Sequence, residues 1–383
     1  MKKQPATPQP SEFGDLVTEL RTLIHTARRT VATTVNTLQV LTNFEIGRRI
    51  VEHEQKGEKR AGYGELLVKV LAEQLTKEFG RGFSKRNLDY MRRFYLDYAD
   101  RLPSIVQKAS AQLTASGICQ KPSDKLSKIR NSQRLTDQSP FTLSWSHYVL
   151  LLTIKNPDER SFYEIEAANG GWSIPELKRQ VASCLYERLA LSKDKEGIRQ
   201  LAGKGQLIIK PEDMLKEPYI LEFLGLDEKA GYSESDLETA IIDQLEKFLL
   251  ELGKGFLFEA RQKRFTFDED HFFVDLVFYN RLLRCYVIID LKLDKLSHQD
   301  LGQMQMYVNY FDRFVKTPDE NPTIGILLCK RKKDAIVELT LPPDANIHAR
   351  EYSLYLPSKE LLQQKLMDWV EAKTACSVVR RKP

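Results

Sequence analysis

The sequence predicts an α-then-α/β chain: an all-helical first half, then a second half with an αβββαβ core, ordered helix, three strands, helix, strand. Three observations carry this prediction. Apolar residues recur at helical spacing through the first half. From Phe256 onward the apolar period becomes that of strands. Charged residues then stand inside two otherwise apolar strands, at Asp275 and at Asp290 and Lys292. With 383 residues, 42% of them apolar, the chain has material for two cores.

Residues 1–13, with Pro5, Pro8 and Pro10, read as a flexible tail. A helical domain is expected over 14–205. Leu20, Leu23, Ile24, Val31, Val35, Leu38, Leu41, Ile46 and Ile50 mark a helical stripe from Leu16 to about Glu54. Tyr63 to Phe79 repeats the pattern, Gly80 and Gly82 punctuate it, and Ser84 suits the N-cap of a helix to about Tyr95. The segment 99–140 is rich in Ser, Gln, Lys and Thr, lacks aromatic residues and reads as a flexible insertion. Helical patterning resumes near Trp145. Ser173 and Glu176 form a capping-box pattern for a helix to about Leu189. Residues 206–232, with Pro211 and Pro218, read as a linker.

The second domain is expected over 233–375, followed by a tail at 376–383. Ser235 and Glu238 suit the cap of a helix to Leu252, with Leu237, Ile241, Leu245, Phe248 and Leu249 as its buried stripe. Strands are predicted at Phe256–Phe267, Phe272–Tyr279 and Arg284–Leu293, with a hairpin connection at Asn280–Leu283. A helix from His298 to about Phe314 precedes a continuously apolar strand, Thr323–Cys329, suited to a buried sheet position. A short strand near Tyr352–Leu356 and a helix from Lys359 to about Ala372 complete the order.

The five cysteines are odd in number, and no two have Cys-x-x-Cys spacing. This argues against a disulfide framework or a zinc site of paired cysteines, and a reducing, cytoplasmic location is the expectation. No apolar run approaches a membrane span, and Met1 to Phe13 lack the apolar core of a secretory signal. The net charge of +5 is small for the length and permits an anionic partner without demanding one.

Chemistry concentrates in the strands. Asp290 and Lys292 are two apart, so they project from one face of a strand that is otherwise Val-Ile-Ile-Leu-Leu. Asp275 is similarly embedded one strand earlier. Charges in buried strands are costly unless paired or bound to a metal. Two carboxylates are hard oxygen ligands for Mg²⁺ or Mn²⁺, and the carbonyl of Leu291 is a candidate third ligand. Lys292 is placed to orient water or to offset charge developing on phosphorus oxygens. His271 and His298 flank the motif and read as surface residues. Arg261 and Gln262 are weaker candidates for substrate contact.

Asp275 followed by Asp290-Leu291-Lys292 resembles the PD-(D/E)xK nuclease motif. Gln303 and Tyr307 resemble the Gln-x-x-x-Tyr element of its RecB-like members, and Glu238 falls on the first core helix, where such nucleases often carry an acidic residue. Longer runs are similar to the YhcG family: Phe248–Phe256, Phe272–Tyr279 and Gly302–Tyr307 in the second half, and Arg60–Gly64, Phe79–Ser84 and Leu143–Tyr148 in the first. The chain departs from that pattern at Phe44, where a tryptophan is expected, and at Pro175, where an arginine is expected. The resemblance implies a restriction-endonuclease-like core that hydrolyses phosphodiester bonds with a divalent metal. It also implies site-lining roles for Gln303, Tyr307 and Glu238.

Between Lys77 and Leu96, six basic residues stand against Glu78 and Asp89. Helix, glycine-rich turn and capped helix are compatible with a helix-turn-helix. Lys85, Arg86, Arg92 and Arg93 are then candidates for phosphate contact. Nucleic acid, DNA before RNA, is the expected partner. Two alternatives stand beside the nuclease: a non-catalytic nucleic-acid-binding module of the same fold, and an assembly protein whose N-terminal helices form a homo-oligomer.

Overall fold

The computed structural model describes residues 34–55, 63–101, 139–191, 195–226, 231–267, 269–342, 345–364 and 366. The chain divides into two compact units, 1–160 with 167–174, and 161–166 with 175–383. The tails at 1–13 and 376–383, and most of the insertion expected at 99–140, lie outside the described residues. Among the described residues no helix is long and apolar enough to cross a membrane.

The first unit is helical, with α1 at 34–55, α2 at Tyr63–Phe79, α3 at Lys85–Tyr98 and α4 at Trp145–Leu151. Helix α5 follows at Pro157–Gly170, its residues 161–166 counted with the second unit. Ser84 caps α3 as expected, its hydroxyl accepting from the Asn87 N–H at 3.3 Å. Leu88, Met91, Phe94 and Tyr98 are the buried stripe of α3. Phe94 sits among Phe44, Phe141, Trp145 and Tyr148, with ring centroids 4.9–5.8 Å away. Phe44, at the departure from the family pattern, is thus a well-packed core residue.

The second unit holds α6 (Ile174–Ala182), α7 (Leu185–Ala190) and α8 (Lys195–Lys204), then β1 (Tyr219–Ile220). Two expectations are corrected here. The helix predicted from Ser173 to Leu189 breaks at Cys184, whose φ of 53° is left-handed. The Ser183 carbonyl accepts from Nε of Arg188 at 2.8 Å, a side chain taking a carbonyl that an unbroken helix would bond internally. The segment 206–232 is not a linker. Met214, Leu215, Tyr219, Ile220 and Leu221 are fully buried, and β1 joins the sheet beside its last strand. The two prolines mark turns inside a packed segment, and the division between units falls before 205.

Helices α9 (Glu234–Asp243) and α10 (Leu245–Leu252) lead into strands β2 (Phe256–Phe267), β3 (Asp270–Asn280) and β4 (Cys285–Lys295). Then come α11 (His298–Tyr310), β5 (Ile324–Arg331), α12 (Asp334–Thr340) and β6 (Ile347–Ser353). The core order is the predicted one. The sheet runs β1-β6-β5-β4-β3-β2, antiparallel over β2–β3–β4 and parallel elsewhere. One face packs on α9 and α10, and the other on α11.

Three local corrections follow. The cap of α9 is Ser233, paired reciprocally with Asp236, rather than Ser235. The helix breaks at Gln244 instead of running through to Leu252. The last strand ends at Ser353, several residues before Leu356, and α12 was not expected. Helix α11 continues into a π-helical turn, Phe311–Val315. Of the final predicted helix, residues 359–364 are helical and most of the remainder lies outside the described residues.

Candidate active site

Alternation along β4 sends Val287, Ile289 and Leu291 into the α9–α10 core and Ile288 into the α11 core, so Asp290 and Lys292 share the α11 face. The β3–β4 ladder has its last rung at Leu276 and Ile289. At the next position the Asp275 side chain takes over: Oδ2 accepts the Leu291 N–H at 2.9 Å. Asp275 and the Asp290–Lys292 run are thereby brought together, as the sequence suggested.

The other oxygen of Asp275 is held by β2. Gln262 lies between the rungs Arg261–Leu276 and Lys263–Val274, opposite Asp275. Its Nε2 donates to Asp275 Oδ1 at 3.0 Å and to Glu238 Oε2 at 2.5 Å. Its φ is +46°, a left-handed conformation unusual for a residue with a side chain. Leu276 packs into the α9–α10 core and Val274 into the α11 core, so β3 changes faces at this rung. Arg261 lies with Nε 2.9 Å from Glu238 Oε1. Among the described residues that oxygen accepts no hydrogen bond, so the contact is an ion pair outside hydrogen-bonding geometry. Arg261 and Gln262 therefore orient acidic side chains.

Asp290 is 4% exposed. Burial first, and the nearby Asp275 charge second, push its carboxyl up to about 7, against the pull of Lys292. Lys292 Nζ lies 2.9 Å from Asp290 Oδ2 and 3.7 Å from Glu234 Oε2. Burial works against the Lys292 charge, but Asp290 and Glu234 outweigh it and raise its pKa, so the ammonium keeps its proton. Tyr307 is buried, and Gln303 Nε2 donates to its hydroxyl. Burial and then the fields of Asp290 and Asp275 raise the Tyr307 pKa, placing it beside the two carboxylates as a neutral phenol.

Among the described residues, no group of three or more His, Cys, Asp or Glu side chains is arranged as a metal cage. The site instead concentrates Asp275, Asp290 and the Leu291 backbone, with the Asp290 carboxyl pushed up by its burial first and by the Asp275 charge second. A divalent cation held there would relieve the repulsion between the two carboxylates. This sparse set of hard oxygens fits Mg²⁺ or Mn²⁺, which bind through one or two carboxylates plus water and substrate oxygens. His271 is outside the cluster, bonded at the exposed hairpin to Arg264 and Thr266.

In the first unit, the basic face of α3 is unevenly free. Arg92 Nε bonds Glu54 Oε2 at 2.7 Å, and Arg93 lies 3.5 Å from Asp97. Arg86 bonds the Tyr90 hydroxyl and has no ion-pair partner among the described residues, and Lys85 is exposed.

Residues 212–367 match the family model described as YhcG PDDEXK nuclease domain, and 19–188 match the DUF1016 N-terminal domain. The chain is 44% identical over 346 residues to a protein of Escherichia coli (strain K12) described as "Putative nuclease YhcG", covering 90% of this chain and 91% of that one. Two solved structures show weaker likeness. A repair endonuclease from Pyrococcus abyssi is 20% identical with a TM-score of 0.23, covering 33% of this chain and 50% of that chain. An EndoMS complex with double-stranded DNA is 16% identical with a TM-score of 0.24, covering 34% and 48%. Scores this low say nothing of function. At the identity and coverage of the Escherichia coli relative, the chain belongs to the YhcG family, with a PDDEXK nuclease domain following a DUF1016 N-terminal domain.

Proposed function

We propose that the protein is a Mg²⁺- or Mn²⁺-dependent nuclease that hydrolyses phosphodiester bonds of DNA. The observation that carries this reading is the convergence of three charges: buried Asp290, paired with Lys292 at 2.9 Å, and Asp275, which accepts the N–H of Leu291 between them at 2.9 Å. Asp275, Asp290 and the Leu291 carbonyl would hold the ion. When bound, it supplies Lewis-acid polarisation of a phosphoryl oxygen and of the attacking water.

The chain's own groups do the rest. The Leu291 N–H and the Gln262 amide each fix one oxygen of Asp275. Lys292 carries its positive charge at the carboxylate cluster, where it offsets charge developing on the phosphoryl oxygens. Tyr307 keeps its proton, and Gln303 orients the hydroxyl as a donor toward substrate. Glu238, gripped by Arg261 and Gln262, anchors the Asp275 side of the site. In the first unit Lys85 and Arg86 contact phosphate, within a helix-turn-helix made by α2 and α3. Cys184, Cys285 and Cys329 are buried and none of them forms a disulfide, which supports a cytoplasmic location.

The test is cleavage of labelled DNA and RNA, as single strands and duplexes, with Mg²⁺, Mn²⁺ or EDTA. Metal-dependent cleavage of DNA that EDTA abolishes is the expected result. Binding without cleavage under every metal would move the non-catalytic module ahead.

A further inference from the structure

Phe265 and Phe267 on β2, Tyr310 on α11 and Phe314 on the π-helical turn line a groove of about 380 Å³. Phe265 stacks on Tyr310, with centroids 4.0 Å apart and planes 19° from parallel. Phe314 lies 5.3 Å from Tyr310 and 6.5 Å from Phe267. Phe267 and Phe314 are 58% and 63% exposed. A contiguous exposed apolar surface of this kind marks a binding site more often than a folding requirement.

What occupies it follows from its surroundings. One ring links the groove to the active site: Phe265 also packs edge-on at 5.6 Å against buried Tyr307, which lies in the fields of Asp290 and Asp275. Tyr307, Tyr310 and Phe314 follow at three- and four-residue spacing, so they share one side of the helix. The axial advance from Tyr307 to Phe314 is about 10 Å, the length of about three stacked nucleotides. At the rim, exposed Arg313 has no ion-pair partner among the described residues and suits the phosphates between bases. Gln305 and Asn309 also line the groove, joined by a 3.2 Å hydrogen bond from the Gln305 amide, so polar groups border the rings.

We propose that this groove is a base-stacking subsite for unpaired nucleotides flanking the scissile bond. Bases inside a duplex already have both faces covered, so only an unpaired strand or end can offer them to phenyl rings. The substrate of the proposed nuclease is then a single strand, or a duplex with an unpaired end. The role of the groove in cleavage rests on the nuclease reading, but its binding of an unpaired strand does not.

The experiment measures anisotropy of a labelled oligodeoxynucleotide, single-stranded or fully paired, with Ca²⁺ replacing Mg²⁺. Wild type is compared with Phe267→Ala, Phe314→Ala, their double variant and Phe314→Trp. The altered rings are exposed, and thermal melts verify that each variant is folded. Single-strand affinity is expected to fall on the order of tenfold per ring removed. Phe314→Trp should retain affinity, and duplex affinity should stay constant. Unchanged single-strand affinity in the double variant would overturn the proposal, as would an equal loss on duplex. So would a wild-type dimer in light scattering that the double variant dissolves, which assigns the groove to a second copy. Cleavage by wild type together with unchanged binding by the variants sinks the groove alone. Ring-dependent binding without cleavage under any metal sinks the nuclease reading alone.

Discussion

The Asp275 carboxylate accepts the Leu291 backbone N–H at 2.9 Å, one position beyond the last β3–β4 rung. A side chain here does the work of a strand partner and keeps Leu291, between Asp290 and Lys292, in fixed register with Asp275. Asp275 therefore has two roles, one in charge and one in hydrogen bonding, and they can be separated. Asp275→Asn keeps an acceptor for Leu291 and removes the charge. Cleavage should fall at least about 100-fold, as for loss of a principal electrostatic group. The melting temperature should fall only by the loss of the Gln262 bond, whereas Asp275→Ala should lower it further by also leaving the Leu291 N–H unpaired. Melting curves and single-turnover rates on both variants check this.

Gln262 sits at φ +46° while its amide holds both Asp275 and Glu238. Gln262→Ala and Gln262→Gly both lose the amide, and only glycine relieves the backbone. The glycine variant should be more stable than the alanine variant by about 1 kcal/mol. Both should lose about 10- to 100-fold in Mn²⁺ affinity or cleavage, the usual cost of removing a group that orients metal ligands. Denaturant melts and Mn²⁺ titration calorimetry separate the two effects.

A buried charge network braces the second unit behind the sheet. Glu251 accepts from Arg188 at 2.5 Å and from the Ile220 N–H at 3.0 Å, and lies 3.3 Å from Arg179. Burial opposes its charge, but Arg188, Lys216 and Arg179 hold its carboxyl at about 2, below the usual 4.5. A depressed carboxyl pKa contributes stability that is full above the unfolded value and lost as pH falls. Stability should therefore drop from about pH 4.5 toward pH 2. Glu251→Gln should cost about 3–5 kcal/mol at neutral pH and flatten that part of the profile. Chemical denaturation across this range is the measurement.

On α3 the free and the engaged cations should behave differently. Lys85→Ala or Arg86→Ala should each reduce the salt slope of DNA binding by about one and leave stability nearly unchanged. Arg92, bonded to Glu54, should instead give a small stability loss of about 0.2–1 kcal/mol without changing the slope. Binding isotherms at several salt concentrations read the difference.

What the sequence revealed and what it hid have physical causes. Asp275, Asp290 and Lys292 were visible because a charge inside an apolar strand is conspicuous at any distance from its partners. The grip of Gln262 on two carboxylates was not, because it depends on cross-strand register beyond the shift between Phe258 and Ala260. The breaks at Cys184 and Gln244 leave helical periodicity almost intact on either side, so a pattern reads through them. The burial of Met214 to Leu221 was masked by two prolines, since local punctuation carries no information about a distant strand such as β6.

The most direct test of the account is cleavage by Asp290→Asn, a near-isosteric change that removes one charge from the Asp275–Asp290–Lys292 cluster. With Mg²⁺ or Mn²⁺ present and a wild-type melting curve, the variant should lose metal-dependent cleavage of DNA. Cleavage at the wild-type rate would contradict the account and place the chemistry elsewhere in the chain.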